Sequence, residues 1–243
     1  MLVRVRCGVL RSDHQMTLTA MQHEIPEPPT GPSSRPSGED RQDLPEARAL
    51  RDDAQAELAC RTTLSDGTEV TIRPIRELDC SSLGAMLSEC SEESLYSRYE
   101  RLVTEPPDRI AEELCRPDLR LERTMVGEID QGTSSKIIGI AQLIADPSFS
   151  AAEYAVLVVD RWQSKGLGGA FTDVCVRLTR QWGVRRIVAE FLPSNTRMIR
   201  ILEKRRFDLS RDLREHVVSG EKLVGPHNEA PAEEHIGRRT QPQ

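Results

Sequence analysis

Regular spacings of apolar residues occur in the middle of the chain, between about residues 62 and 215. In residues 68–74 apolar and polar residues alternate, with Val70 and Ile72 on one face. This pattern predicts a half-buried strand that follows a turn at 65–67. Apolar, β-branched runs predict four more strands, at residues 124–130, 136–145, 153–159 and 185–191.

Five segments have the spacing or the boundaries of helices, at about residues 79–90, 92–102, 107–114, 167–182 and 195–205. Asp79 and Asn195 each stand where a side chain can cap the helix that follows. A helix connects the strands 153–159 and 185–191, so we expect these two to be parallel, whereas the earlier strands should form an antiparallel meander. The pattern predicts an α/β fold with a mixed, mostly antiparallel sheet flanked by helices. Residues 207–218 should add one or two last strands.

The two ends of the chain differ from the middle. Most of residues 1–61 and 216–243 is rich in proline, serine, glutamate and arginine and poor in aromatic and β-branched residues. Such segments cannot bury enough apolar surface to offset the entropy lost on ordering. We therefore expect a disordered N-terminal arm (1–61), one folded domain (62–215) and a disordered C-terminal tail (216–243).

Charge and cysteine spacing exclude several classes of protein. The net charge of −6 argues against a dedicated nucleic-acid-binding protein. The six cysteines include no C-x-x-C pair, so metal ligation is not expected. Apolar stretches fall short of the ~18 residues of a membrane span, and the N-terminus lacks the apolar core of a signal peptide. We expect a cytoplasmic monomer or weak dimer with no metal, membrane or nucleic-acid partner.

Three glycines, Gly166, Gly168 and Gly169, lie within four residues between an apolar strand and a predicted helix. The first N–H groups of a helix have no partner inside the helix, and the helix dipole is positive there, so this arrangement favours an anion site. The spacing is not that of a P-loop, and Phe171 stands where a dinucleotide-binding fingerprint requires glycine. A glycine-rich turn without a ligand is the alternative interpretation.

The loop resembles the acetyl-CoA loop of the GNAT N-acetyltransferase superfamily, which reads Q/R-x-x-G-x-G/A after an apolar strand. Gln163, Gly166 and Gly168 match that pattern, and the run from Glu190 to Asn195 matches the next element, E-x-x-x-x-N followed by a helix. DGTEVTIRPIRELD, SEESLYSRYE, IIGIAQLIADP and AEYAVLVVDRWQSKGLG are similar to the catalytic domain of bacterial protein lysine acetyltransferases that act on acyl-CoA synthetases. The resemblance covers about residues 62–215. It implies a GNAT fold and acetyl-CoA-dependent N-acetylation, with a protein lysine as the favoured acceptor.

The resemblance also implies which residues bind acetyl-CoA, the acyl donor. Backbone groups of residues 157–159 would bind the pantetheine arm, and the N–H groups of residues 164–169 would hold the pyrophosphate. The implied set is Leu157, Val158, Val159, Gln163, Ser164, Lys165, Gly166, Leu167, Gly168, Gly169 and Asn195. For Lys165 a solvated loop lysine is the alternative, and for Asn195 a helix cap alone.

Acetylation of an amine requires the neutral amine, whereas a free lysine has a pKa of about 10.4, so a base must accept its proton. The five histidines lie in or beside the two ends of the chain, which leaves a carboxylate. Glu153 stands where similar protein acetyltransferases carry their catalytic glutamate, and Glu190 matches the base of other superfamily members. A strand-end carboxylate paired with an arginine is the alternative for each.

Two departures from the family pattern leave a second function open. Leu202 stands where many relatives have a tyrosine general acid, and Arg206 replaces the glycine that ends the last helix of relatives. If the backbone keeps the left-handed geometry that glycine adopts there, Arg206 lowers the stability by roughly 1 kcal/mol. The alternative interpretation is that Arg205 and Arg206 contact a cofactor phosphate. A catalytically weak acyl-CoA-binding sensor or interaction module, or an acetyltransferase of small amines, is the alternative.

Overall fold

Eight strands form one open sheet in the part of the chain that the computed structural model describes, residues 58–225. They are β1 (Cys60–Thr63), β2 (Glu69–Pro74), β3 (Glu122–Asp130), β4 (Ser135–Ala145), β5 (Ala151–Val158), β6 (Arg186–Phe191), β7 (Asp208–Asp212) and β8 (Val217–Leu223). Their order in the sheet is β1-β2-β3-β4-β5-β6-β8-β7. Only β5 and β6 are parallel neighbours in this sheet, which confirms the predicted mixed, mostly antiparallel arrangement.

Helices cover both faces of the sheet. They are α1 (Cys80–Ser88), α2 (Glu92–Tyr99), α3 (Pro107–Leu114), α4 (Leu167–Gln181) and α5 (Thr196–Lys204). Leu83 of α1 and Ile110 of α3 pack against Val126 and Leu157 on one face, while Phe171 of α4 lies in the core on the other face. We call these the α1–α3 face and the α4–α5 face. Strand alternation assigns each buried side chain to one of the two.

The folded part extends beyond both expected boundaries. β1 begins at Cys60 and pairs with β2, although its sequence has too few apolar residues to predict a strand. At the other end, β8 pairs with β6 as far as Leu223, and Val218 is buried in the core. The boundary at 215 is therefore wrong, because a strand beside β6 completes the backbone hydrogen bonds of β6. The remainder of the two end segments, residues 1–57 and 226–243, lies outside the described residues.

The expectation that the Asp79 side chain caps α1 is also wrong. Its carboxylate accepts hydrogen bonds from Arg73 Nη1 at 2.7 Å, from Arg73 Nη2 at 2.8 Å and from the Arg76 backbone N–H at 2.7 Å. Arg73 also donates to Glu128 at 2.7 Å, and these hydrogen bonds lower the pKa of Glu128. A buried arginine needs such partners, so the cluster ties the chain before α1 to β2 and β3.

Candidate functional site

β5 and β6 are hydrogen-bonded neighbours only at their first residues. Residues 151–153 pair in parallel with residues 186–188, whereas β5 continues to Val158 in register with β4 alone. The two strands are therefore parallel, as the sequence predicted, and they separate after Glu153. Along residues 154–158, the edge of β5 that faces β6 has no strand partner among the described residues. The backbone N–H and C=O groups on this edge can therefore bind an extended ligand.

The loop after β5 has the backbone geometry of an anion site. Ser164 has a φ of 61° and Gly166 a φ of 105°, both in the left-handed region, and Gly166 occupies the N-cap position of α4. The first helical hydrogen bond runs from Ala170 N–H to Gly166 O at 3.0 Å. Within residues 58–225, no backbone carbonyl accepts from the N–H groups of residues 164–169. These groups lie at the positive end of α4 and can bind an anion.

The side chain of Gln163 holds the loop in place. Its Nε2 donates to Val158 O at the end of β5 and to Ser94 Oγ on α2, both at 2.9 Å, and its Oε1 accepts from Arg197 on α5. Ser94 in turn donates to Asp160, whose carboxylate also accepts the N–H and Oγ–H of Ser91. The glutamine of the loop motif thus connects three elements around the start of the gap.

Lys165 anchors the loop to the turn between β1 and β2. Its Nζ lies 2.9 Å from an Asp66 carboxylate oxygen and 4.4 Å from the centre of the Trp162 ring. The Lys165 carbonyl accepts the Ser65 N–H at 3.0 Å, and the hydrogen bond from Lys165 lowers the pKa of Asp66 to about 2. Lys165 is therefore only partly exposed and paired with a carboxylate. Sequence reasoning missed Asp66, because nothing local connects that turn with the glycine loop.

The second and third glycines allow α5 to pack closely on α4. A Cβ on Gly168 would lie 3.1 Å from Ile201 Cδ1, and one on Gly169 would lie 2.5 Å from Arg205 Nη2. Arg205 crosses Gly169 to form a two-pronged ion pair with Asp173, with N···O distances of 2.8 and 2.7 Å. Arg205 was a candidate for a cofactor phosphate, but its guanidinium is committed to Asp173.

Asn195 caps α5. Its Oδ1 accepts the backbone N–H of Met198 at 3.1 Å, so the predicted cap is confirmed. Sequence reasoning found this residue because a cap needs only a local pattern.

Both candidate bases lie on the α1–α3 face. Ala152 and Tyr154 of β5 and Ala189 of β6 belong to the core on the α4–α5 face, so alternation directs Glu153 and Glu190 to the opposite side. Glu153 is half-buried and stands opposite Val188, where the two strands begin to separate. Glu190 lies two residues further along β6 and stands opposite Ser219 of β8. The structure therefore brings Glu153 to the inner end of the gap.

Fold and site together define a class of protein. The start of α4, whose first N–H groups have no backbone acceptor among residues 58–225, lies beside two separating parallel strands with a carboxylate at their junction. Residues 87–207 match the model of the acetyltransferase (GNAT) family. The chain belongs to the GNAT superfamily and is an acyltransferase of that type.

Solved structures with the same fold include enzymes with different acceptors. The GNAT domain of S. lividans PAT is 24% identical, with 70% of this chain and 98% of that one covered and a TM-score of 0.62. Spermidine N-acetyltransferase from Vibrio cholerae, in complex with CoA and spermine, is 15% identical over 64% of this chain and 95% of that one, with a TM-score of 0.54. Ribosomal-protein-S5-alanine acetyltransferase from Vibrio fischeri is 16% identical over 64% and 93%, with a TM-score of 0.52.

Residues 58–225 contain neither a candidate membrane-spanning helix nor a candidate metal-ligand cluster. None of the helices there combines the length and the apolar character that a bilayer span requires. No group of three or more His, Cys, Asp or Glu side chains there could hold a metal ion.

Proposed function

We propose that this protein transfers an acetyl group from acetyl-CoA to the side-chain amine of a protein lysine. The observation that carries the proposal is the gap between β5 and β6, which opens beside the glycine loop and ends at Glu153. An extended thioester fits this geometry, with its phosphates on the N–H groups of residues 164–169 and its arm along residues 157–159 of β5.

Glu153 is the proposed base. Its position at the junction of β5 and β6 places it where the thioester end of the donor would lie, because the arm runs from the loop back along β5. The acceptor amine loses a proton to Glu153 and attacks the thioester carbonyl, so a C–N bond forms as the C–S bond breaks. The second proton leaves the nitrogen as the amide forms and reaches the CoA thiolate through water, since the Leu202 side chain has no proton to donate.

A protein lysine is the favoured acceptor, on two grounds. The four sequence segments quoted above resemble protein lysine acetyltransferases, and the GNAT domain of S. lividans PAT has the same fold. The spermidine enzyme has this fold as well, so a polyamine is the competing acceptor. A substrate screen with acetyl-CoA, lysine peptides, an acyl-CoA synthetase and spermidine, read by thiol release and mass spectrometry, separates the two.

The base assignment predicts a pH signature. In Glu153→Gln we expect kcat/KM at neutral pH to fall by about 10²- to 10³-fold, while acetyl-CoA still binds. Activity of the variant should rise steadily with pH toward the acceptor pKa of about 10.4, because more of the amine is then already neutral. Steady-state kinetics between neutral and alkaline pH, together with calorimetry of acetyl-CoA binding, provide the measurements.

Glu221→Gln is the matched control, since Glu221 lies on the neighbouring strand β8 and pairs with Arg186 at 3.2 Å. It should keep both the rate and the pH profile. A larger loss of kcat/KM in Glu190→Gln than in Glu153→Gln would show that Glu190 of β6 is the base. Tight acetyl-CoA binding without transfer to any of these acceptors would contradict the proposal and favour an acyl-CoA sensor.

A further inference from the structure

A buried polar cluster interrupts the apolar packing of the α1–α3 face beside β5. Arg98, near the end of α2, is only 9% exposed, and its Nη2 donates to Gln142 Oε1 on β4 at 2.9 Å. Thr124 stands opposite Gln142 on β3 and is buried as well. Elsewhere this face is lined by side chains such as Val126 and Ile140. Glu122 of β3 lies on this face too, and its side chain forms a hydrogen bond with Gln142. A guanidinium buried in this polar cluster requires partners for its N–H groups.

Two atoms of this cluster have no hydrogen-bond partner. Arg98 Nη1 and Thr124 Oγ1 are both buried and unpartnered. An unmade hydrogen bond to a buried charged donor is costly, and such atoms mark places where a ligand or water completes the site. Both atoms belong to residues that adjoin Gln142, so they lie in one place rather than in two separate defects.

The cluster lies next to the position of the reacting group. Gln142 of β4 stands opposite Ala155 of β5, two residues from Glu153 and on the same face of the sheet. Ala155 has a small side chain, and Ala155, Glu153 and Ile144 are half-buried, so the sheet face is partly open there. The donor arm along residues 157–159 would direct its acyl group to this point.

We propose that Arg98, with Thr124 and Gln142, forms a subsite for a carboxylate carried by one of the two substrates beside the transferred acyl group. This inference rests on the proposed function. The carboxylate belongs either to a dicarboxylic acyl chain on CoA or to a residue next to the acceptor lysine. Arg98 takes no part in bond making: it binds the carboxylate, while Glu153 accepts the amine proton. Its ring contact with Tyr99, at 5.0 Å, helps to orient the guanidinium.

The experiment has two arms. The first compares succinyl-CoA with acetyl-CoA as donors to spermidine, and also measures their binding by calorimetry. The second compares lysine peptides with Asp or Asn beside the lysine, with acetyl-CoA as donor. In one of these two arms, whichever substrate carries the carboxylate, we expect the unaltered full chain to prefer that substrate by about tenfold in kcat/KM. One added hydrogen bond to a charged group predicts a preference of this size. Arg98→Met should bring that ratio close to one.

Two further variants keep the test decisive. Arg98→Lys retains the charge but lacks the planar fork that lets a guanidinium contact Gln142 and a carboxylate at the same time, so it should lower the ratio in part even if Arg98→Met fails to fold. Arg109→Met removes an exposed arginine of α3 and should leave the ratio unchanged. An equal preference for both substrates in both arms, or a preference that survives in Arg98→Met and Arg98→Lys, would overturn the subsite.

The subsite and the proposed function fail separately. Absence of transfer from either donor would contradict the proposed function, yet an Arg98-dependent preference for succinyl-CoA in calorimetry would still support a donor subsite. If neither donor supports transfer and calorimetry shows no Arg98-dependent preference for succinyl-CoA, both the proposed function and the subsite are overturned. If an ordered water satisfies Arg98 Nη1 instead, Arg98→Met should lower the rates with all substrates by the same factor, which also overturns the subsite.

Discussion

At the scale of single residues, Arg206 stands out because its backbone is left-handed, with a φ of 57°. It follows the last residues of α5, where Phe207 N–H donates to Leu202 O at 3.1 Å and Arg206 N–H donates to Glu203 O at 3.0 Å. This is the Schellman arrangement, in which glycine normally occupies the position of Arg206. The expected geometry is therefore kept, and the strain lies in the backbone of one residue.

Replacing Arg206 by glycine should relieve that strain. We expect Arg206→Gly to raise the free energy of unfolding by up to about 1 kcal/mol, because glycine has no Cβ to clash in the left-handed region. Urea denaturation measures the change. As a control, Arg200→Gly at an exposed position inside α5 should lower the stability by about 1 kcal/mol. A loss of stability in Arg206→Gly would show that the arginine side chain contributes more than its backbone costs.

At the scale of elements, the contact between α4 and α5 depends on the absence of a side chain at Gly169. Alanine there would favour the helix by about 0.5–1 kcal/mol but would push Arg205 away from Asp173. We expect Gly169→Ala to stabilise the protein in an Arg205→Met background and to stabilise it less, or not at all, in the native background. Denaturation of the four proteins of this double-mutant cycle gives the coupling. Equal effects in both backgrounds would refute the role assigned to Arg205.

At the scale of the whole molecule, carboxylates with lowered pKa values make the free energy of unfolding depend on pH. Asp146, between β4 and β5, is the most buried example: burial alone would raise its pKa, but hydrogen bonds from Ser150, from Ser148 and from the Ala151 N–H lower it to about 2. A group whose pKa is lower in the folded state stabilises that state above its unfolded pKa, which is 3.8 here. This contribution is lost as the pH falls from about 4 to about 2.

We therefore expect the free energy of unfolding to fall between about pH 4 and pH 2, and to fall less steeply in Asp146→Asn. The amide cannot accept all of these hydrogen bonds, so the variant should also be roughly 2 kcal/mol less stable at neutral pH. Chemical denaturation across this pH series tests both points. Identical slopes for the two proteins would assign the acid sensitivity to other groups.

Features that depend on neighbours in the chain could be predicted from the sequence. Alternation and helical spacing identified five of the eight strands and all five α-helices of the described residues, and the prediction of one or two last strands at 207–218 covers β7 but stops at the start of β8. The glycine loop and the cap at Asn195 were found from such local patterns, whereas the left-handed position after α5 was expected from the resemblance to the family. Each rests on hydrogen bonds or torsions within a few residues, which sequence patterns report directly. The strand β1 was missed because an edge strand with little apolar character leaves no such pattern.

Features that depend on distant segments were decided only by the tertiary structure. The sequence contains Arg98, Asp79 and Lys165, but only the folded chain assigns Gln142, Arg73 and Asp66 as their partners. Separation of β5 from β6 likewise depends on how long two strands stay paired, which neither strand encodes alone. Burial raises the cost of an unpaired polar group, so the choice of partner follows from packing. The sequence thus determined that a glycine loop and a helix follow β5, and the tertiary structure determined which side chains surround the point where β5 and β6 separate.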